Sequence, residues 1–157
     1  MARNGRQTAA AKGWTEHAER VLKDAGHRSS APRSAVVEAL GRQDCVLTAR
    51  ELVEEIRAEG RDVGIATVYR TLDVLDELGL AQRLDVGEGA PARYEPADPS
   101  GEHHHHLVCG SCGRVSSFED ARLEREIDRL ARRVDYRIGT HEVILRGDCP
   151  TCSSAAG

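Results

Sequence analysis

Two Cys-x-x-Cys pairs, Cys109/Cys112 and Cys149/Cys152, hold four of the five cysteines in the chain. Each pair offers two thiolates from a tight turn, and two such knuckles supply the four sulfurs of a tetrahedral zinc ion. A closed four-sulfur shell leaves no open coordination position, so the expected role is structural. A redox dithiol pair is the competing chemistry. Ahead of the first knuckle runs His103-His104-His105-His106. On a strand, alternate residues face opposite sides, which sends His103 and His105 one way and His104 and His106 the other. That geometry can seed two metal sites, with Glu95, Asp98, Glu102, Glu124 and His141 available to complete them. Imidazole with carboxylate suits iron, manganese, zinc or nickel. A purification tag is normally terminal and this run is internal; the plain alternative is a solvated polar turn.

Catalysis finds little support. The chain carries no nucleophile elbow, no phosphate-cradling glycine loop and no His-Glu-x-x-His helix. Cys45 sits beside Val46 and Leu47 and reads as a core residue. A length of 157 residues accommodates one full domain or two small ones, and 3% aromatic content leaves a core of Leu, Val, Ile and Ala. Such a core benefits from a metal staple. Neither an apolar run of membrane-spanning length nor a signal-peptide core is present, so no membrane partner and a cytoplasmic location are expected.

The elements that must position these groups fall into two textures. Ala18, Val21, Leu22 and Ala25 form one helical face that ends at Gly26, and Pro32 then suits a helix start ahead of Val36, Val37 and Leu40. Thr48-Ala-Arg-Glu51 is a capping box before Leu52, Val53 and Ile56. Val68, Leu72 and Leu75 space a further helix, followed by a ribbon from Leu80–Val86 and Ala92–Glu95. Helices followed by a hairpin is the order of a winged helix-turn-helix. Beyond the Pro- and Gly-containing stretch 96–102, Leu107-Val108, Val115–Phe118 and Glu142–Arg146 read as strands. A helix striped by Leu123, Ile127, Leu130, Ala131 and Val134 lies between the last two. With so few hydrophobes, this small α/β unit is expected to pair with a copy of itself. The net charge of −4 speaks against indiscriminate nucleic-acid binding, yet residues 1–33 hold seven basic and three acidic side chains. A local basic face of that kind can anchor phosphates.

The segment Gly64-Ile-Ala-Thr-Val-Tyr-Arg-Thr-Leu72, the His103–His106 run with Leu-Val-Cys-Gly-Ser-Cys-Gly, and His141 with Gly-Asp-Cys149 together resemble the ferric uptake regulator family. The similarity spans roughly residues 15 to 152. It implies an α+β protein that acts as a metal-responsive repressor and binds inverted-repeat operator DNA as a homodimer. The implied layout is a disordered tail (1–13), a winged-helix DNA-binding domain (14–95), a hinge (96–102) and a metal-binding dimerisation domain (103–157) with a structural four-cysteine zinc site.

Residue by residue, the resemblance assigns Cys109, Cys112, Cys149 and Cys152 to structural zinc. Glu95, His104 and His106 go to a regulatory divalent metal, Zn2+ or Fe2+, with Mn2+ and Ni2+ also served by the family. His103, His105, Glu124 and His141 go to an additional site, and Arg28, Arg33, Thr67, Tyr69 and Arg70 to DNA. Val46, Ser117, Ala97 and Gln82 stand where family ligands are usual, so Cys45, Asp98 or Glu102 is expected to complete the regulatory set. A peroxide sensor of the same family and a zinc-binding storage or interaction protein are the alternative functions.

Overall fold

The structure, a computed structural model, describes residues 4–43, 45–87, 89–97 and 104–155. These form two compact units, one ending in the segment before residue 103 and one starting there. Four helices lead the first: α1 (Asn4–Asp24), α2 (Ala31–Gly41), α3 (Ala49–Ala58) and α4 (Ile65–Glu77). Strands β1 (Leu47–Thr48), β2 (Ala81–Leu84) and β3 (Arg93–Pro96) make an antiparallel sheet in the order β1-β3-β2. The β2–β3 hairpin is the wing, with Arg83 opposite Tyr94.

Local chemistry explains the helix ends. α1 stops at Gly26, whose φ of +83° suits a residue without Cβ. Ser30 caps α2, with Pro32 in its first turn. Thr48 and Glu51 form the reciprocal capping box of α3: the Thr48 amide donates to Glu51 Oε2 at 2.7 Å and the Glu51 amide to Thr48 Oγ1 at 3.2 Å. Inward faces of the four helices, including Ala18, Leu40, Ile56, Val68, Leu72 and Leu75, build one buried core. Trp14 closes it, its Nε1 donating to the Leu80 carbonyl at 3.1 Å and so tying α1 to the base of the wing.

Two features of the first unit depart from the sequence expectation. The helix α1 reaches back to Asn4, into the stretch expected to be a disordered tail. Ala9, Ala10 and Ala11 have the highest intrinsic helix propensity, and burial of Trp14 anchors the turns that follow them. The two-residue strand β1 is the other; it exists because Leu47 pairs with Tyr94 across the sheet.

In the second unit, β4 (His105–Cys109) pairs antiparallel with β5 (Val115–Phe118) and parallel with β6 (Ile144–Gly147). The crossover between β5 and β6 is α5 (Ala121–Arg133), and α6 (Pro150–Ala155) follows the last knuckle, a short helix that the sequence pattern does not suggest. Asp120 caps α5 by accepting the Arg122 and Leu123 amides, and these bonds, the Leu123 amide first, hold its carboxyl below the usual carboxylate range. Among the described residues no helix is long and apolar enough to cross a membrane.

At Gly41, α2 packs tightly against α1. A Cβ placed there would lie 2.6 Å from Thr15 Oγ1 and 2.8 Å from Trp14 Cε3. Gly41→Ala is therefore expected to lower the unfolding free energy by about 1–3 kcal/mol, as overpacking does; a urea midpoint equal to that of the parent protein would refute the close-approach reading.

Candidate metal centres and nucleic-acid face

Parallel pairing of β4 with β6 sets Cys109 opposite Gly147, so both cysteine knuckles emerge from the same end of the sheet. The Gly110 amide donates to the Gly147 carbonyl, and Ser111 Oγ donates to Asp148 Oδ1, fastening one knuckle to the other. The Gly113 amide donates to the Cys109 carbonyl at 2.9 Å and closes the first knuckle, and the left-handed φ of +71° at Gly113 turns the chain on toward β5. As a result one sulfur from each of Cys109, Cys112, Cys149 and Cys152 lies within 4.8 Å of the others. Cys112 Sγ and Cys149 Sγ are 3.8 Å apart.

The sulfurs do not share one proton affinity. Backbone hydrogen bonds, first from Cys149 and then from Cys112, hold the Cys109 thiol at a pKa of about 6. The Cys149 thiol is lowered, chiefly by the Cys152 amide. Hydrogen bonding with the Cys149 and Cys112 side chains pushes Cys152 up to about 12. A crowded set that yields its first proton easily and keeps its last is one that a divalent cation completes, because only a positive charge lets all four sulfurs ionise together. The donor set fits zinc.

His105 and His106 face opposite sides of β4, as strand alternation requires, and both are buried. On one side, His105 Nε2 lies 2.7 Å from Glu124 Oε1 and His141 Nε2 lies 3.0 Å from Glu124 Oε2. Glu124 is in the first turn of α5, placed there by the Asp120 cap. These three residues form a group with metal-ligating geometry. The ring of Phe118 packs 5.4 Å from that of His105 and walls the group on the β5 side.

On the other side of β4, the His104 and His106 rings meet edge to face at 5.0 Å, with Glu142 Oε1 4.0 Å from His106 Nδ1. Sequence reasoning missed Glu142, although its place next to His141 was a signal. Glu95 belongs to the first unit, on β3 opposite Gln82. His103, Asp98 and Glu102, each named above as a ligand candidate, lie outside the described residues. Among the described residues, no cluster of metal ligands includes Cys45.

Four of the five proposed DNA contacts, Arg28, Arg33, Thr67 and Arg70, line two neighbouring grooves of the first unit. α4 buries Val68, Thr71, Leu72 and Leu75 and leaves Tyr69 and Arg70 outward. Arg33, Thr67 and Arg70 line a shallow groove between α2 and α4 together with Ser30. Arg33 and Arg28 line a neighbouring groove between α1 and α2, where Lys23, His27 and Ser29 join them. Arg33 donates to the Arg28 carbonyl, which steadies the basic corner where the two grooves meet. From the sequence, Lys23 stood out only as one of the seven basic side chains of residues 1–33, and His27, Ser29 and Ser30 were not singled out.

The sequence profile of the Ferric uptake regulator family matches residues 24–146, and the chain belongs to that family of metal-responsive transcription regulators. It is 37% identical over 132 residues to the ferric uptake regulation protein of Legionella pneumophila, covering 83% of this chain and 95% of that one. The Vibrio cholerae ferric uptake regulator structure superposes with a TM-score of 0.71 at 34% identity, covering 83% of this chain and 98% of that one. The Helicobacter pylori ferric uptake regulator, whose structure is described as revealing three functional metal binding sites, gives 0.79 at 26% identity, covering 91% and 93%.

Removing Glu124 takes a hydrogen-bond acceptor from two imidazoles, one of them buried. Glu124→Ala is expected to cost about 1–3 kcal/mol of stability in metal-free protein, and Glu124→Gln less, because it keeps one acceptor oxygen. Equal urea midpoints for all three proteins would show that the pair contributes nothing.

Proposed function

We propose that this protein is a homodimeric, metal-dependent repressor of metal-homeostasis genes that binds inverted-repeat operator DNA in the cytoplasm. The observation that carries this reading is the coexistence in one chain of a winged helix presenting Tyr69 and Arg70 outward and a second unit with distinct histidine–carboxylate and four-cysteine ligand groups. Cys109, Cys112, Cys149 and Cys152 hold zinc as a structural staple. His104 and His106, joined by Glu95, form the regulatory site, and His105, Glu124 and His141, joined by His103, form the additional one. When bound, a divalent metal supplies a cross-link that favours one conformation over another.

The residues then divide the work. Tyr69 and Arg70 meet base edges and phosphates in the major groove, with Thr67 holding the Arg70 guanidinium through its hydroxyl at 3.4 Å. Arg28 and Arg33 anchor the flanking backbone or minor groove. The regulatory metal is Zn2+ or Fe2+, with Mn2+ and Ni2+ as competitors. Relatives at 28% and 26% identity are a Pseudomonas aeruginosa regulator solved with manganese and a zinc-bound manganese uptake regulator.

Dimerisation rests on α5. The helix is strongly two-faced, yet none of its residues is buried. Leu130 and Val134 are 44% and 49% exposed, as are Leu107 and Leu145 of the sheet at 43% and 49%. A second copy of the same face covers them by an isologous contact. Leu130→Glu combined with Val134→Glu is expected to give a monomer by light scattering and to weaken operator binding at least about tenfold, the equivalent of roughly 1.4 kcal/mol; a dimer that persists would move the interface elsewhere.

The functional reading is tested by stripping labile metal, leaving the cysteine-bound zinc, and titrating operator duplex with zinc, anaerobic iron(II), manganese and nickel. One metal is expected to induce tight binding, and by linkage the duplex tightens that metal by the same factor. Arg70→Ala should lose operator binding with its fold retained. Sequence-specific binding absent under every metal would favour the storage reading instead.

A further inference from the structure

The first turns of α4 leave two large apolar side chains outside the core. Ile65 and Tyr69 are each 44% exposed, whereas Val68, Leu72 and Leu75 of the same helix are fully buried. Four residues apart, they are neighbours on one face. Packing does not explain Ile65. It opens the helix after Gly64, which makes no side-chain cap, and a smaller or polar residue would serve the helix start as well. An aliphatic group left in water forgoes the gain that burial gives its neighbours. Its β-branched side chain is nearly locked in one rotamer within a helix, so a contact made through it costs little entropy on binding. The adjoining strip of the helix is polar, with Thr67, Arg70 and Asp73 lining the groove toward Arg33.

An apolar pair at the start of a recognition helix has one natural counterpart on DNA. The N-terminal residues of such a helix meet base edges, and the thymine C5-methyl is the apolar group displayed there. We propose that Ile65 is a specificity-determining residue that, with the Tyr69 ring as a second wall, takes a thymine methyl group in each half-site. The assignment rests on the DNA-binding reading above and adds to it the base preference. Arg70 offers hydrogen bonds and charge to base edges and phosphates, whereas the Ile65–Tyr69 pair offers the apolar contact that distinguishes a methylated base.

The test uses full-length, metal-loaded protein and the duplex it enriches from a random-sequence pool, resynthesised with each thymine replaced in turn by deoxyuridine, which lacks only the methyl. One symmetric thymine pair is expected to stand out, with about fourfold weaker binding for one half-site and about sixteenfold for both, the value of one buried methyl each. Ile65→Ala should lose comparable affinity for the parent duplex and keep only the smaller deoxyuridine penalty that the Tyr69 ring supplies, while Ile65→Val keeps more of the sensitivity. Because Ile65 lies outside the core, both variants are expected to unfold at the parent temperature. Unchanged affinity in Ile65→Ala, or an undiminished deoxyuridine penalty in that variant, overturns the proposal. A wild-type protein that enriches a sequence but is blind to every methyl sinks this assignment alone; one that enriches no sequence sinks the DNA-binding reading beneath it.

Discussion

Four thiols held within 4.8 Å of one another cannot all ionise without a cation between them, and the second unit is organised around that restriction. Its apolar burial is slight: among its described residues Val108 and Cys109 are the buried hydrophobic ones, and α5 buries nothing. A sheet of three short strands with so little core is marginal by itself. The knuckles compensate by tying the ends of β4 and β6 together, since Cys109 stands opposite Gly147 and the Cys149 amide reaches the Cys109 sulfur at 3.3 Å. In the function proposed, zinc staple and partner surface are two answers to one shortage: the first closes the sheet from within the chain, and the second would cover Leu107, Leu130, Val134 and Leu145 from outside it.

The first unit has no such dependence. A continuous core running from Trp14 to Tyr94, capped helices and a wing closed by Leu47 pairing with Tyr94 make it self-sufficient. This contrast has a functional consequence. In the function proposed, the DNA-reading module presents Tyr69 and Arg70 in fixed positions, which a well-packed helix face provides. A module that responds to metal needs an equilibrium that binding can move, which an under-packed unit provides. The two demands conflict within one core and are met here by two.

How much of this was legible beforehand depended on whether the signal was local. Spacing alone revealed the knuckles, because each pair serves one turn, and the Thr48–Glu51 capping box, because its bonds join residues three apart. Period-two alternation placed His105 and His106 on opposite faces before any coordinates. Strand β1 was hidden because two residues carry no period, and their partner on β3 is distant in sequence, Leu47 meeting Tyr94. The α1 extension was hidden because Gly- and Arg-rich sequence masks an alanine run whose anchor, Trp14, is buried by distant residues. His27 and Ser29 were overlooked for a related reason: a groove belongs to two helices, and neither helix shows it separately.

Strand β4 carries the deepest constraint on the metal chemistry. His105 turns toward Glu124 and His141, His106 turns toward His104, and Cys109 ends the strand at the knuckles. One short strand therefore feeds three ligand groups, and because strand side chains alternate, a slip of one position would exchange the two histidine faces and withdraw Cys109 from its sulfur partners. Register here is fixed by pairing on both sides, to Phe118 and Ser117 on β5 and to Ile144 on β6. Whatever strengthens the cysteine end of the strand also holds the histidines in position for their own ligands. The three groups are thus joined through one short piece of backbone, the physical connection that any coupling between them would use.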